Sequence, residues 1–199
     1  QEARPKSRQA GSAVRRILLL APVLCIACAP SGTRYFPLEV GHRWSYAVRG
    51  GFLSRVEDVQ VVRSMSVAGT SGYEIRGPTG VSRLAWKGNV LVAESLPGMR
   101  FSPPLPMLDP SHPTQAMLWK GLMTSPTAVL DAEARIVPKA EKLTLGGRRY
   151  ETLHVAATIR AEGRGIEIQT WFAPGIGILR QEQRSNDNLV RSLEYLAGP

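Results

Sequence analysis

Three histidines, two neighbouring carboxylates, a glycine doublet and two cysteines are the groups in this chain whose types and spacing could do chemistry. His42, His112 and His154 stand far apart, and no H-x-x-x-H pair or second ligand cluster accompanies them, so a zinc site has no support. A Ser-His-Asp relay can be assembled from any chain with three histidines, but no G-x-S-x-G turn marks a nucleophile here. Asp131 and Glu133 would share one face of a strand, as paired carboxylates sometimes do in glycosidases, although such a pair more often marks a solvated edge. Gly175-Ile-Gly177 supplies two glycines of a dinucleotide fingerprint, yet the third position is Arg180 and no helical pattern follows. Cys25-Ile-Ala-Cys28 has the spacing of a redox or zinc pair, but it lies in an apolar run that offers neither a helix N-terminus nor a metal to stabilise a thiolate. No catalytic residue, metal ligand or cofactor is assigned, and the expectation is a protein that is not an enzyme. A hydrolase is the weakest of the alternatives.

The large apolar side chains are the remaining lead. Trp44, Tyr46, Trp86, Trp119 and Phe172 can be read as core packing, or as the lining of a cavity that suits a lipid or another hydrophobic ligand.

The elements that must position these residues begin with a leader. Arg15 and Arg16 precede an apolar run from Ile17 to Ala27, which is followed by Cys28, Ala29 and Pro30. A basic region, a short apolar core and a small residue before a cut are the parts of a secretory signal, and the run is too short and too proline-broken to span a membrane. The placement of Cys28 directly after Ala27 resembles the lipobox of bacterial lipoproteins, which implies a signal peptide over 1–27, acylation of Cys28 and a linker over 28–34. A plainly secreted protein is the alternative. Cys25 is the poorer candidate, because Leu24 and Val23 precede it rather than a small residue.

The whole chain carries a formal charge of +9, but much of the excess sits in the leader, and the part from residue 28 onward is only mildly basic. Nucleic acid is therefore not expected as a partner; weak attraction to anionic lipid headgroups fits an anchored protein better.

From residue 35 to 199 the chain reads as one β-rich domain. Trp44, Tyr46 and Val48 alternate with Ser45 and Ala47, and Leu84 and Trp86 alternate with Arg83, Ala85 and Lys87. Val59, Val61, Met65 and Val67 lie on one parity, interrupted by Arg63. Leu153, Val155, Ala157 and Ile159 alternate with Thr152, His154, Ala156 and Thr158, and Ile166, Ile168, Thr170 and Phe172 do the same against Glu167, Gln169 and Trp171. Period two marks strands with one buried face. Turn chemistry falls between the runs at Gly69 to Gly72, Gly88-Asn89, Gly146-Gly147, Gly163 to Gly165 and Pro174-Gly175. The expectation is an all-β, mainly antiparallel fold, as a curved sheet, half-barrel or sandwich, with little helix beyond the signal peptide. Residues 102–126 break the pattern with six prolines among Leu, Met and Trp side chains. Proline keeps a segment out of a central ladder, so the stretch reads as a packed loop with a short helical turn near Thr114 to Trp119, or as a lid over an apolar pocket.

Two segments carry a family resemblance. Tyr35-Phe-Pro-Leu-Glu-Val-Gly-His-Arg-Trp44-Ser-Tyr46 resembles the opening of a group of uncharacterised bacterial lipoproteins, and Thr170-Trp-Phe-Ala-Pro174-Gly-Ile-Gly177-Ile-Leu-Arg-Gln-Glu182 resembles their closing hairpin. The resemblance implies a β-rich, membrane-anchored domain of no established activity, and hints at half-barrel lipoprotein carriers that hold acyl chains. Ala29 after the acylated cysteine resembles the outer-membrane sorting rule, which places the domain on the periplasmic face of the outer membrane. Three roles remain open: a binding or envelope-maintenance protein with a hydrophobic ligand, an assembly partner of an envelope complex without one, and the hydrolase.

Overall fold

A computed structural model of the chain describes residues 35–51, 53–185 and 188–198; Cys25, Cys28 and the leader lie outside the described residues. Twelve strands follow one another with no α-helix among the described residues. They are β1 (Arg43–Gly50), β2 (Leu53–Val67), β3 (Thr70–Gly77), β4 (Gly80–Lys87), β5 (Val90–Leu96), β6 (Met99–Leu108), β7 (Met117–Thr124), β8 (Val129–Leu145), β9 (Arg148–Ala161), β10 (Arg164–Ala173), β11 (Gly177–Ser185) and β12 (Asn188–Ala197). Each pairs antiparallel with its neighbours in the chain, and β1 pairs with β12 through Ser45–Ala197 and Arg49–Ser192 to close the sheet. The all-β antiparallel expectation holds, with one correction: the sheet is a closed barrel rather than a half-barrel or sandwich. Closure removes the two open edges that a curved sheet would expose.

Short turns allow this. Gly146 and Gly147 both have positive φ, the condition for a type I′ hairpin, whose twist matches that of the flanking strands. Ala68-Gly69 and Glu162-Gly163 adopt the same positive-φ pair, with one non-glycine residue in each. The alternating residues then point as their parity demands. Leu153, Val155 and Ile159 are buried in the barrel interior, together with Trp44, Tyr46, Leu84 and Phe172. Glu133, Arg135, Lys139 and Arg160 are exposed on the outside of β8 and β9, so that wall has no apolar band of the kind a membrane-spanning barrel presents to lipid.

Two segments differ from the sequence reading. The parity of Val59, Val61, Met65 and Val67 does not run through, because the β2–β3 ladder carries a bulge between Val61 and Arg63. The extra residue inverts the remainder of the strand: Val61 packs in the interior, whereas Val67 is buried in a small outer cluster with Ala85 and Val92. Residues 102–126 are neither a loop nor a lid, and no helical turn forms near Thr114. β6 and β7 take up most of the segment, leaving 109–116 as the connection. Its prolines are tolerated because β6 pairs with β7 only from Arg100 to Ser102, so beyond Ser102 one side of β6 asks for no N–H, and bulges interrupt its ladder with β5 on the other side. Trp119 closes this opened seam by donating its indole N–H to Pro103 O at 2.9 Å.

In a meander of this kind the hairpins fall alternately at the two ends of the barrel. The β1–β2, β3–β4, β5–β6, β7–β8, β9–β10 and β11–β12 connections share one end. The chain enters at the other, where Phe36 and Leu38 are buried and fill the opening.

Candidate functional site

The barrel interior is not completely filled. A cavity of about 330 Å³ runs from the plugged end, where Phe36, Trp44 and Ile178 line it, past Val59, Ile75, Leu84, Met107 and Ile168, to an opening beside Thr79, Pro97, Gln183 and Arg191. A narrower extension reaches Phe172, Val155 and Leu105. Trp44 fixes the deep end. It is completely buried, stacks on Phe36 with ring centroids 5.2 Å apart and donates its indole N–H to Ile176 O at 2.6 Å. Gly177 makes that packing feasible: its φ is +103°, and a Cβ there would lie 2.7 Å from the Phe36 ring.

The five candidate lining residues therefore separate. Trp44 and Tyr46 face the cavity, and Phe172 lies at its narrow extension. Trp86 and Trp119 do not line it. Trp86 donates to Phe36 O at 3.2 Å and holds the plug segment in place. Trp119 packs edge-on against Phe101 and borders a recess in the outer wall with Leu118, Lys120, Arg135 and Arg160.

The rim recess that adjoins the cavity's open end, sharing Arg191 and Gln183 with it, is polar in a way the sequence reading missed. Glu57 stands opposite Tyr46 in the β1–β2 ladder and faces inward, with its side chain only 2% exposed. It is held by two arginines, Arg55 Nε at 2.6 Å on Oε1 and Arg191 Nη2 at 2.8 Å on Oε2. Buried charge is tolerable only when paired in this manner. Arg191 borders both the cavity and a shallower recess at the rim, formed with Gly50, Leu53 and Val190. Its Nε is buried without a hydrogen-bond partner among the described residues. Gln181 and Gln183 add amide groups to the same wall, Gln181 donating to Thr170 Oγ1 at 3.1 Å. Burial, together with the neighbouring Tyr195, pushes the Tyr46 phenol well above its ordinary range, so it stays neutral and can donate. The sequence signal was present: Glu57 shares the parity of Val59 and Val61, and Arg191 that of Leu193, charged residues on inward-facing positions.

The other chemically suggestive groups are dispersed. His42 contacts Pro37 O and Glu39 at the plugged end, and His112 pairs with Asp109 in the β6–β7 connection. Asp131 and Glu133 are exposed on the outer wall, where they stand opposite Leu122 and Lys120. His154 stacks on Trp171 at 4.4 Å on the outside of the barrel, with Nδ1 3.4 Å from Glu141 and Arg180 covering the other side of the indole. Among the described residues no three His, Cys, Asp or Glu side chains converge as metal ligands. Cys28 lies outside the described residues.

No protein-family model and no curated protein matches the chain. Two solved structures share its fold. One is a presumed lipoprotein from Parabacteroides distasonis ATCC 8503, 13% identical with a TM-score of 0.54, and the other a presumed exported protein with a YmcC-like fold from Bacteroides fragilis NCTC 9343, 14% identical with a TM-score of 0.50. Each match covers 83% of this chain and 98% of the solved one.

Proposed function

We propose that this chain is a lipid-anchored protein of the bacterial cell envelope that holds a hydrophobic small molecule inside its barrel and catalyses no reaction on it. Residues 1–27 serve as the export signal, Cys28 carries the acyl anchor, and the domain from 35 onward faces the periplasm at the outer membrane. The internal cavity carries the reading. At about 330 Å³ it falls within the range of small-molecule sites, about 300–1,000 Å³, and apolar walls with a few polar groups at one end are their usual lining. That two proteins of this fold are described as a lipoprotein and an exported protein supports the location. A second reading, an assembly partner without a ligand, is favoured by the outer recess beside Trp119, where Leu118 is 78% exposed.

Trp44 offers the test. In a Trp86→Phe, Trp119→Phe, Trp171→Phe chain, Trp44 is the remaining indole, and a fatty acid brominated at its tail should quench it saturably. Quenching that rises only linearly with probe, as in random collision, points to the assembly-partner reading instead.

A further inference from the structure

We propose that the cavity selects amphiphiles with a single acyl chain and an anionic head, bound head-outward against Arg191 with the tail toward Trp44. The inference rests on the ligand-holding reading and adds the chemical class of the ligand. The cavity is polarised along its length. Its deep end is closed by Phe36, Trp44 and Ile178, none of which offers a free donor, since the Trp44 indole N–H is already committed to Ile176 O. Only a tail can lie there.

The open end is different in charge. Two guanidinium groups, Arg55 and Arg191, meet one carboxylate, Glu57, so this cluster of described residues carries one positive charge beyond internal neutralisation. Arg55 is 57% exposed and water can screen it, whereas Arg191 is 23% exposed and borders the cavity itself. Among the described residues Arg191 spends only Nη2, on Glu57. A guanidinium with spare donors at the rim of an apolar pocket is matched by a carboxylate or phosphate, which takes hydrogen bonds in a fixed fork. An alcohol head would satisfy one donor and leave the charge, and an ammonium head would be repelled. The volume argues for one chain, because a cavity near the lower limit of small-molecule sites has no room for the two tails of a phospholipid.

The experiment uses the full chain held in an amphipathic polymer, so that no free detergent competes, and reads quenching by ω-bromododecanoic acid, ω-bromododecyl phosphate and ω-bromododecanol. Both anions should bind about tenfold or more tightly than the alcohol. Arg191→Gln should abolish that preference while leaving alcohol binding in place. Glu57→Gln should act in the opposite direction, tightening the anions, because it frees both arginines. Opposed effects separate head recognition from damage to the fold, which would weaken all three probes together. Preference for only one anion identifies the head as carboxylate or phosphate. Equal binding of acids and alcohol overturns the proposal and leaves the cavity reading standing; failure of all three probes to bind overturns both.

Discussion

Glu74 shows how a single carboxyl can matter on the outside of this barrel. It sits between Arg63 Nη2 at 2.8 Å and Arg76 Nη2 at 3.0 Å, with Arg83 Nε at 3.9 Å. The hydrogen bond from Arg63, aided by Arg76 and opposed by burial, holds the Glu74 carboxyl below its usual value of 4.5. A carboxyl whose folded value is depressed stabilises the fold above its unfolded value, and the contribution vanishes as pH falls through the lower, folded one. The wild-type chain should therefore be more resistant to urea than Glu74→Gln at neutral pH. The two midpoints should converge as the pH falls through the depressed folded value, below which the carboxyl is protonated in both states. A gap that stays constant across the acid range would mean that Glu74 acts through shape and not charge. Glu57 belongs to the same class of buried carboxylate, but there the two arginines also define the rim of the cavity.

Among the elements, β9 gives the sharpest contrast between its two faces. Val155 is 3% exposed inside the barrel, while Thr158 looks outward beside Arg135 in the β8–β9 ladder. Val155→Asp would bury an unpaired charge at a cost of several kcal/mol, a large part of the stability of a domain this size, and should leave the chain unfolded or melting far lower. Thr158→Asp should melt close to the wild type, with circular dichroism following both; equal damage from the two would mean that this wall is covered on both sides. Strand β9 was legible because its period-two pattern is unbroken over Leu153 to Ile159, and the hairpins were legible because glycine pairs mark them. The misread elements share a physical cause. The bulge after Val61 adds one residue and inverts every side chain beyond it, an event that composition does not announce. Residues 102–126 read as a loop because proline ordinarily ends a ladder, yet the seam beyond Ser102 asks for no donors, and Trp119 lies across that seam instead of over a pocket. The cavity aromatics were half legible: periodicity tells which way Trp44 and Trp86 point, not whether space remains beside them.

At the scale of the whole molecule, the two ends of the barrel are unlike, and the proposed anchor at Cys28 would make that difference consequential. Phe36 and Leu38 plug the end at which the chain enters; Arg191 and Gln183 border the end that opens, with Glu57 in the adjoining rim recess. Beside the chain's entry, β1 and β12 have eight and ten residues and, tilted as in barrels of this kind, give a wall about 20–25 Å high there. From Cys28 to Tyr35 the chain can reach about 25 Å at most. Turning the open end toward the bilayer would require that whole length to lie stretched along the wall, losing nearly all of its conformational freedom, whereas the plugged end can face the membrane with the linker slack. Under the proposed anchoring, the barrel should therefore stand with its mouth away from the bilayer, positioned to exchange the proposed ligand with the aqueous side and not with the membrane. Acylation at Cys28 is the premise: Cys28→Ser should abolish incorporation of labelled palmitate, while Cys25→Ser should not. With the anchor intact, a fluorophore on Val40→Cys, at the plugged end, should be strongly quenched by nitroxide-bearing lipid headgroups. The same fluorophore on Leu189→Cys, at the rim, should be quenched little, since both side chains are exposed and only their distance from the membrane differs. The reverse order would place the mouth on the bilayer and make membrane lipid its direct source of ligand.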